Sequence, residues 1–121
     1  MKGVLLFGHG ARNPEWAAPF ERIRELMKAS DPTLPVEPGF LELMRPSFDE
    51  AIDCLVHQGA RTIVVVPIFM AAGSHVRKDL PQMAANAMDR HTDLVIDLAA
   101  PVGEAASVLA AMADYARNAT Q

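Results

Sequence analysis

The sequence contains a single cysteine, Cys54, among its 121 residues. One cysteine excludes an internal disulfide, and without a second thiol nearby it also argues against a thiolate zinc site. Because disulfides are rare in reducing compartments, we expect a cytoplasmic protein. Half of the residues are hydrophobic, so a chain of this length buries enough surface to fold without a covalent cross-link. We therefore predict one compact domain over residues 1–121.

Long hydrophobic runs are also missing. The apolar stretch near the start is only "VLLF", which is shorter than the roughly 7–15 residues of a signal-peptide core. No run approaches the about 20 residues that span a bilayer, so we expect no membrane association. Basic runs are absent too, and the net charge of −4 argues against nucleic acid as a main partner. Any anionic ligand must then be bound by local positive charge.

Four short apolar runs are present instead, and they begin at Gly3, Leu34, Thr62 and Asp93. Their spacing of roughly 30 residues is typical of strand-and-helix units, because parallel strands are joined by helical crossovers. The continuous apolar character of the first and third runs indicates strands that are covered on both faces. We predict a three-layer α/β fold with a doubly wound, flavodoxin-like parallel sheet of four strands in the order 2-1-3-4.

Helical periodicity occupies the segments between these runs. Asn13 and Pro14 are a plausible N-cap and first residue of the first helix, but Pro19 requires either a bend or a start near Ala18. The apolar stripe of this helix consists of Trp16, Phe20, Ile23 and Met27. We predict that the later helices run from Pro46 to about His57, from an N-cap at Asp79, and from Gly103.

Polar residues follow three of the predicted strands, at the edge where the carboxyl ends of parallel strands meet. His9 follows the first strand, Glu42 the second, and His75 comes after the third through a loop of small residues. Ligands of open parallel sheets bind at this edge, where the strand order reverses. Two imidazoles and a carboxylate suit divalent cobalt, nickel, iron or zinc. The alternatives are structural: a turn hydrogen bond for His9, a loop cap for His75, and a helix N-terminus near Glu42.

A cation follows each of these candidate ligands, and the set is Arg12, Arg45, Arg77 and Lys78. These cations lie where helices are predicted to begin, and the helix dipole disfavours positive charge there. An anionic substrate would explain them, since the arginine fork binds carboxylates through two hydrogen bonds. The alternative is that they are solvated surface groups. The two remaining histidines, His57 and His91, lie near predicted helix C-termini, where we expect a structural role.

Three segments, "LLFGHGARNPEW", "GFLELMRPSFDEA" and "VVVPIFMAAGSHVRKDLP", resemble the short, single-domain sirohydrochlorin chelatases of the CbiX type. These enzymes belong to the chelatase superfamily that includes the ferrochelatases. The resemblance implies insertion of cobalt, or of iron or nickel, into sirohydrochlorin during cobalamin or siroheme biosynthesis, without an organic cofactor. It also implies that His9 and His75 handle the metal and that Glu42 assists them. Ala11 departs from the serine that many relatives carry at this position.

The chemistry implied by this resemblance gives the other candidates a role. The macrocycle must lose its pyrrole N–H protons as the metal enters, and a neutral imidazole can act as ligand or base. Sirohydrochlorin is a polycarboxylate, so the four cations would bind its periphery. Met44 and Met70 would line its apolar face, and the alternative for both is a place in the core. For Phe69, which follows the third strand, we expect the core rather than the ligand face. We expect a homodimer, because larger members of the superfamily pair two such halves in one chain.

Two other functions fit parts of the same pattern. A metal or tetrapyrrole carrier would use the same ligands without turnover. A histidine-phosphatase-like hydrolase would also place a histidine at the end of a strand, but Gly8 stands where such enzymes carry an arginine that binds phosphate.

Overall fold

The computed structural model describes residues 1–121. Its sheet consists of four parallel strands: β1 (Lys2–Gly8), β2 (Val36–Phe40), β3 (Thr62–Pro67) and β4 (Val95–Leu98). Their order is β2-β1-β3-β4, and Val4 of β1 pairs with Val36 on one side and Val64 on the other. The predicted α/β fold and strand order are confirmed. The strand order reverses between β1 and β3, which is where ligands bind in such sheets.

Four α-helices and two 3₁₀ turns connect and follow these strands. The α-helices are α1 (Ala18–Ser30), α2 (Phe48–His57), α3 (Ser74–Arg90) and α4 (Ala106–Asn118). The 3₁₀ turns cover Pro14–Ala17 and Val102–Glu104. None of the helices has the length and apolar character needed to cross a bilayer.

The main core lies between the sheet and the helices α2 and α3. Phe7 of β1 meets Phe48 of α2 edge-on, with ring centroids 5.8 Å apart. On the opposite face, α1 covers the β2 side of the sheet, and its Phe20 packs on Phe40 with centroids 5.0 Å apart. Strand β1 is buried on both faces, as predicted. For β3 this prediction is wrong, because its residues alternate between buried and partly exposed positions.

Local hydrogen bonds and prolines determine where the first two helices begin. Asn13 caps the 3₁₀ turn rather than a long helix, and α1 begins at Ala18, one of the two predicted alternatives. The predicted start of α2 at Pro46 is wrong by two residues. Ser47 and Glu50 form a capping box in which each side chain accepts a hydrogen bond from the other's backbone N–H, so the helix starts after Ser47.

The predicted N-cap of the third helix at Asp79 is also wrong. Helix α3 begins at Ser74 after the N-cap Gly73, because its buried stripe starts at Val76 and continues through Leu80. Asp79 therefore lies inside the helix. This shift places His75 in the first turn of α3 rather than in a loop.

Three further boundaries differ from prediction by two or three residues, whereas β3 begins at Thr62 and α2 ends at His57 as predicted. The fourth helix begins at Ala106 instead of Gly103, because Gly103 belongs to the second 3₁₀ turn and packs on the Met70 backbone. Strand β4 begins at Val95, after Asp93 turns the chain with a φ of 66°. Strand β2 begins at Val36, two residues after the start of its apolar run.

Candidate functional site

The loop after β1 brings His9 against the loop after β2. The backbone N–H of Glu42 donates to the carbonyl oxygen of His9 at 3.1 Å. Between them Gly10 has a φ of +93°, and a Cβ at this position would overlap the Glu42 carbonyl oxygen. Both the left-handed backbone and the close approach require glycine here. His9 and Glu42 are therefore neighbours through the backbone, and both side chains are exposed.

A cavity of about 560 Å³ opens beside this loop. One part of its wall comes from the loop and the start of α1: His9, Gly10, Ala11, Trp16, Pro19 and Phe20. The rest comes from the ends of β2 and β3: Phe40, Met44, Ile68 and Phe69. Seven of these ten residues are hydrophobic, and His9 is the one titratable side chain among them. The cavity suits an apolar ligand that presents a proton or a metal to an imidazole.

The imidazole of His9 rests against an aromatic side chain. Its ring centroid lies 5.5 Å from that of Phe69, and the two planes are tilted by 46°. Phe69 in turn packs edge-on against the buried Phe7 at 6.1 Å. The histidine is exposed on one side and held by the core on the other.

His75 lies apart from this cavity. It is exposed in the first turn of α3, and the cavity wall does not include it. No group of three or more His, Cys, Asp or Glu side chains lies close enough together to hold a metal ion. In this structure, then, His9, His75 and Glu42 share one edge of the sheet without forming a ligand group.

Two of the four predicted cations are paired with carboxylates of the same chain. Arg45 binds Glu50, and this contact together with the Ser47 backbone lowers the Glu50 pKa to about 2. Arg77 binds Glu104 at 3.2 Å and donates to the Ala72 carbonyl oxygen at 3.1 Å. These pairs are exposed, so each contributes little to stability. Both guanidinium groups nevertheless have a competitor for any substrate carboxylate.

The other two cations, Arg12 and Lys78, are exposed and form no ion pair within the chain. Arg12 follows the His9 loop, and Lys78 lies one helical turn after His75. An incoming anion would meet these charges without displacing an existing partner.

The CbiX family model matches residues 3–119 of this sequence. The chain belongs to the CbiX family. It is 39% identical over 103 residues to a sirohydrochlorin cobaltochelatase of Sulfolobus acidocaldarius, an alignment that covers 85% of this CbiX protein and 80% of the relative. It is 32% identical to a chloroplastic sirohydrochlorin ferrochelatase of Arabidopsis thaliana, covering 84% of this chain and 45% of the relative.

Two solved structures resemble this CbiX protein. A CbiX protein of Marinobacter aquaeolei VT8 matches with a TM-score of 0.86 and 30% identity, over 99% of this chain and 98% of the other. The sirohydrochlorin chelatase SirB of Bacillus subtilis subspecies spizizenii, in complex with cobalt, matches with a TM-score of 0.79 and 29% identity. That alignment covers 97% of this chain and 50% of SirB, so this chain spans half the length of SirB.

Only some of the apolar residues considered for the site line the cavity. Met44 and Phe69 line the cavity, whereas Met70 is 58% exposed and lies outside its wall. Helical periodicity placed Trp16 and Phe20 on the apolar stripe of the first helix and did not predict that they line the cavity. The signal that could have identified them is their position soon after the glycine loop, because residues near a strand end lie close to the edge of the sheet where ligands bind.

The remaining histidines lie at the helix ends where they were predicted. His57 is the last residue of α2, and His91 caps α3. The His91 imidazole meets Asp53 at 2.7 Å, and Arg90 meets the same carboxylate at 2.8 Å. Partial burial raises the pKa of Asp53, but the hydrogen bonds from Arg90 and His91 outweigh it and lower that pKa. His91 therefore helps to tie α3 to α2.

Proposed function

We propose that this CbiX protein inserts a divalent metal ion, cobalt in the cell, into sirohydrochlorin. The observation that carries the proposal is the apolar cavity at the ligand edge of the sheet, with His9 on its wall. The names of the relatives support the same reaction. An apolar cavity with one titratable group fits a flat conjugated ring whose pyrrole nitrogens must exchange protons for a metal.

Two kinds of chemistry are needed for this reaction, a base for the pyrrole N–H protons and ligands for the incoming ion. We assign His9 to the macrocycle, as the base or the last metal ligand, because it lies at the cavity. We assign His75 and Glu42 to delivery of the ion, since both are exposed at the same edge. Imidazole and carboxylate bind several first-row divalent ions, so this donor set accepts iron and nickel as well as cobalt.

We propose cobalt rather than iron because of the comparison with the Sulfolobus protein, which is named a cobaltochelatase. The alignment covers 80% of that protein but only 45% of the Arabidopsis ferrochelatase. The donor set itself does not discriminate, because metal supply and ligand type decide occupancy among these ions. The choice of metal is therefore tested separately from the insertion reaction.

The decisive experiment is a spectroscopic assay of the purified protein. Sirohydrochlorin is mixed anaerobically with Co²⁺, Fe²⁺ or Ni²⁺, and the absorbance change is followed at substoichiometric protein. We expect many turnovers per chain, fastest with Co²⁺ once the spontaneous rate is subtracted. A change that stops at one equivalent per chain would instead identify a tetrapyrrole carrier, and no change with any metal would refute the proposal.

We also propose that the working form is a homodimer in which α4 packs on a second copy. None of the residues of α4 is buried, although Val108, Met112 and Tyr115 share one apolar face of the helix. The sheet has an uncovered region as well, where Val95 of β4 is exposed and Val64 of β3 is only partly covered. If each copy packs the apolar face of its α4 on the uncovered sheet region of the other copy, both surfaces become buried.

The size of these surfaces fits a specific dimer. A helix of 13 residues is about 20 Å long and about 10 Å wide, so one face presents on the order of 300 Å². Two such faces and the surfaces they cover give on the order of 1,200 Å², the lower end of the range for specific interfaces. The chain also spans half of SirB, so two copies supply as much chain as that chelatase contains.

The oligomeric state tests this surface. Light scattering of the full chain at micromolar concentration is expected to report a dimer, and Met112→Glu is expected to convert it to a monomer. Ala110→Glu, on the opposite side of α4, serves as the matched control and should remain dimeric. A monomeric wild-type protein would overturn the dimer, and a dimeric Met112→Glu variant would overturn this surface.

A further inference from the structure

Trp16 is the only tryptophan of the chain, and it is left exposed beside the candidate active site. Its side chain lines the cavity that contains His9, yet 64% of the residue remains accessible to solvent. Its neighbour Phe20 is half-buried and packs on Phe40. Packing within this chain therefore covers part of the Phe20 ring, whereas the indole of Trp16 remains largely exposed.

The backbone that carries Trp16 is held in place. The Asn13 side chain accepts a hydrogen bond from the Glu15 N–H at 3.0 Å, and the Asn13 carbonyl accepts one from the Trp16 N–H at 3.1 Å. Pro14 opens the turn and fixes its own φ angle. A capped turn with a proline at its start fixes the backbone that carries the indole, so less conformational entropy is lost on binding than from a flexible loop.

A ligand that covers so large an exposed apolar group removes apolar surface from water, which is favourable. Burying an aromatic side chain contributes about 1.5–3 kcal/mol, and flat rings gain further from stacking against one another. The cavity beside Trp16 is mostly apolar and holds one titratable group. The ligand chemistry that fits both features is an extended conjugated ring.

We propose that the indole of Trp16 stacks on one face of the tetrapyrrole and holds the ring nitrogens at His9. This inference rests on the proposed chelatase function, since it requires sirohydrochlorin to occupy the cavity. Trp16 is a binding and positioning residue that exchanges no proton and binds no metal. Its contribution lies in the affinity for the macrocycle and not in the chemical step.

The test is the affinity of the full chain for metal-free sirohydrochlorin, measured by the absorbance change of the ligand. Stacking of a flat heterocycle on an aromatic side chain predicts a loss of between about fivefold and a hundredfold for Trp16→Ala. Trp16→Phe retains a ring and should keep most of the affinity. Leu26→Ala is the matched control, because Leu26 is also a large exposed apolar residue but lies on α1 outside the cavity.

Steady-state kinetics give a second reading. Trp16→Ala should raise the KM for sirohydrochlorin by a similar factor, with little change in kcat or in the KM for the metal. If the wild-type chain binds sirohydrochlorin and folded Trp16→Ala binds it equally well, the stacking role is wrong while the chelatase function stands. If the wild-type chain does not bind the macrocycle, the proposed function fails and the stacking role fails with it.

Discussion

The imidazole of His9 lies 5.5 Å from the ring of Phe69, at the point where the strand order of the sheet reverses. Phe69 rests on the buried Phe7, so the histidine is supported by the hydrophobic core while remaining open to the cavity. A base or ligand held in this way loses little freedom when the reaction begins.

Replacing His9 should remove activity without unfolding the protein. General acid–base catalysis contributes about a hundredfold or more, so we expect His9→Ala to lower kcat by at least that factor. His75→Ala should also lower turnover, although by supplying metal less well. His57→Ala is the control, since His57 is exposed at the end of α2, and the chain just after it bonds to Met1 at the opposite end of β1. Turnover at the wild-type rate in either of the first two variants would remove that histidine from the mechanism.

Gly10 should tolerate no side chain. In Gly10→Ala the methyl group meets the Glu42 carbonyl oxygen, and the backbone φ of +93° is unfavourable for alanine. We expect a loss of more than about 1 kcal/mol in the free energy of unfolding, together with a loss of activity as the two loops separate. Gly73→Ser is the control, because a Cβ at Gly73 meets nothing within 4 Å and serine is favourable at this N-cap position. Urea denaturation should find that control close to wild type.

The unpaired cations should contribute more to substrate binding than the paired ones. Charge-assisted contacts contribute about 1.5–3 kcal/mol, so Arg12→Glu and Lys78→Glu should each raise the KM for sirohydrochlorin roughly tenfold or more. Arg45→Glu and Arg77→Glu should raise it less, because their guanidinium groups already bind carboxylates of the chain.

Salt and a control position separate this effect from general electrostatics. Added salt should weaken binding by the wild type more than by these variants, because screening acts on attractions that the variants lack. Lys2→Glu reverses an exposed charge at the opposite end of β1 and should leave the KM unchanged. Equal KM values for all five variants and the wild type would mean that the cations are solvated surface groups.

Loss of the exposed Arg45–Glu50 pair should lower stability by a small amount in strong acid. The pKa of Glu50 is lowered from 4.5 to about 2, chiefly by its hydrogen bond with Arg45. A carboxyl group whose pKa is lowered by folding stabilises the protein above its unfolded-state pKa, and this stabilisation is lost as the pH falls towards the folded-state pKa. The free energy of unfolding should therefore decrease between pH 4.5 and about 2.

Glu50→Gln should remove this part of the pH dependence, because the amide still accepts in the capping box but does not titrate. Urea unfolding at about pH 5 and about pH 2.5 measures the effect as a difference between variant and wild type. Glu15→Gln, which changes an exposed carboxyl without an ion pair, should keep the wild-type pH dependence. A variant as acid-sensitive as the wild type would show that Glu50 is not responsible.

The sequence by itself was enough to predict the sheet and its ligand edge. The four apolar runs and their spacing led to four parallel strands in the order 2-1-3-4, since crossover rules leave few other arrangements. The position of His9 followed directly, because a residue after a strand must lie at the end of that strand. The start of α3 was missed because Asp79 is a good N-cap by type, whereas burial of Val76 extends the helix to Ser74.

Only the tertiary structure decided which side chains meet and which remain free. Arg45 and Arg12 look alike in sequence, but one pairs with Glu50 and the other has no partner. Trp16 has the spacing of a core residue and is exposed beside the cavity. Periodicity and spacing describe local backbone geometry, whereas pairing and exposure depend on groups far apart in the chain that the fold brings together.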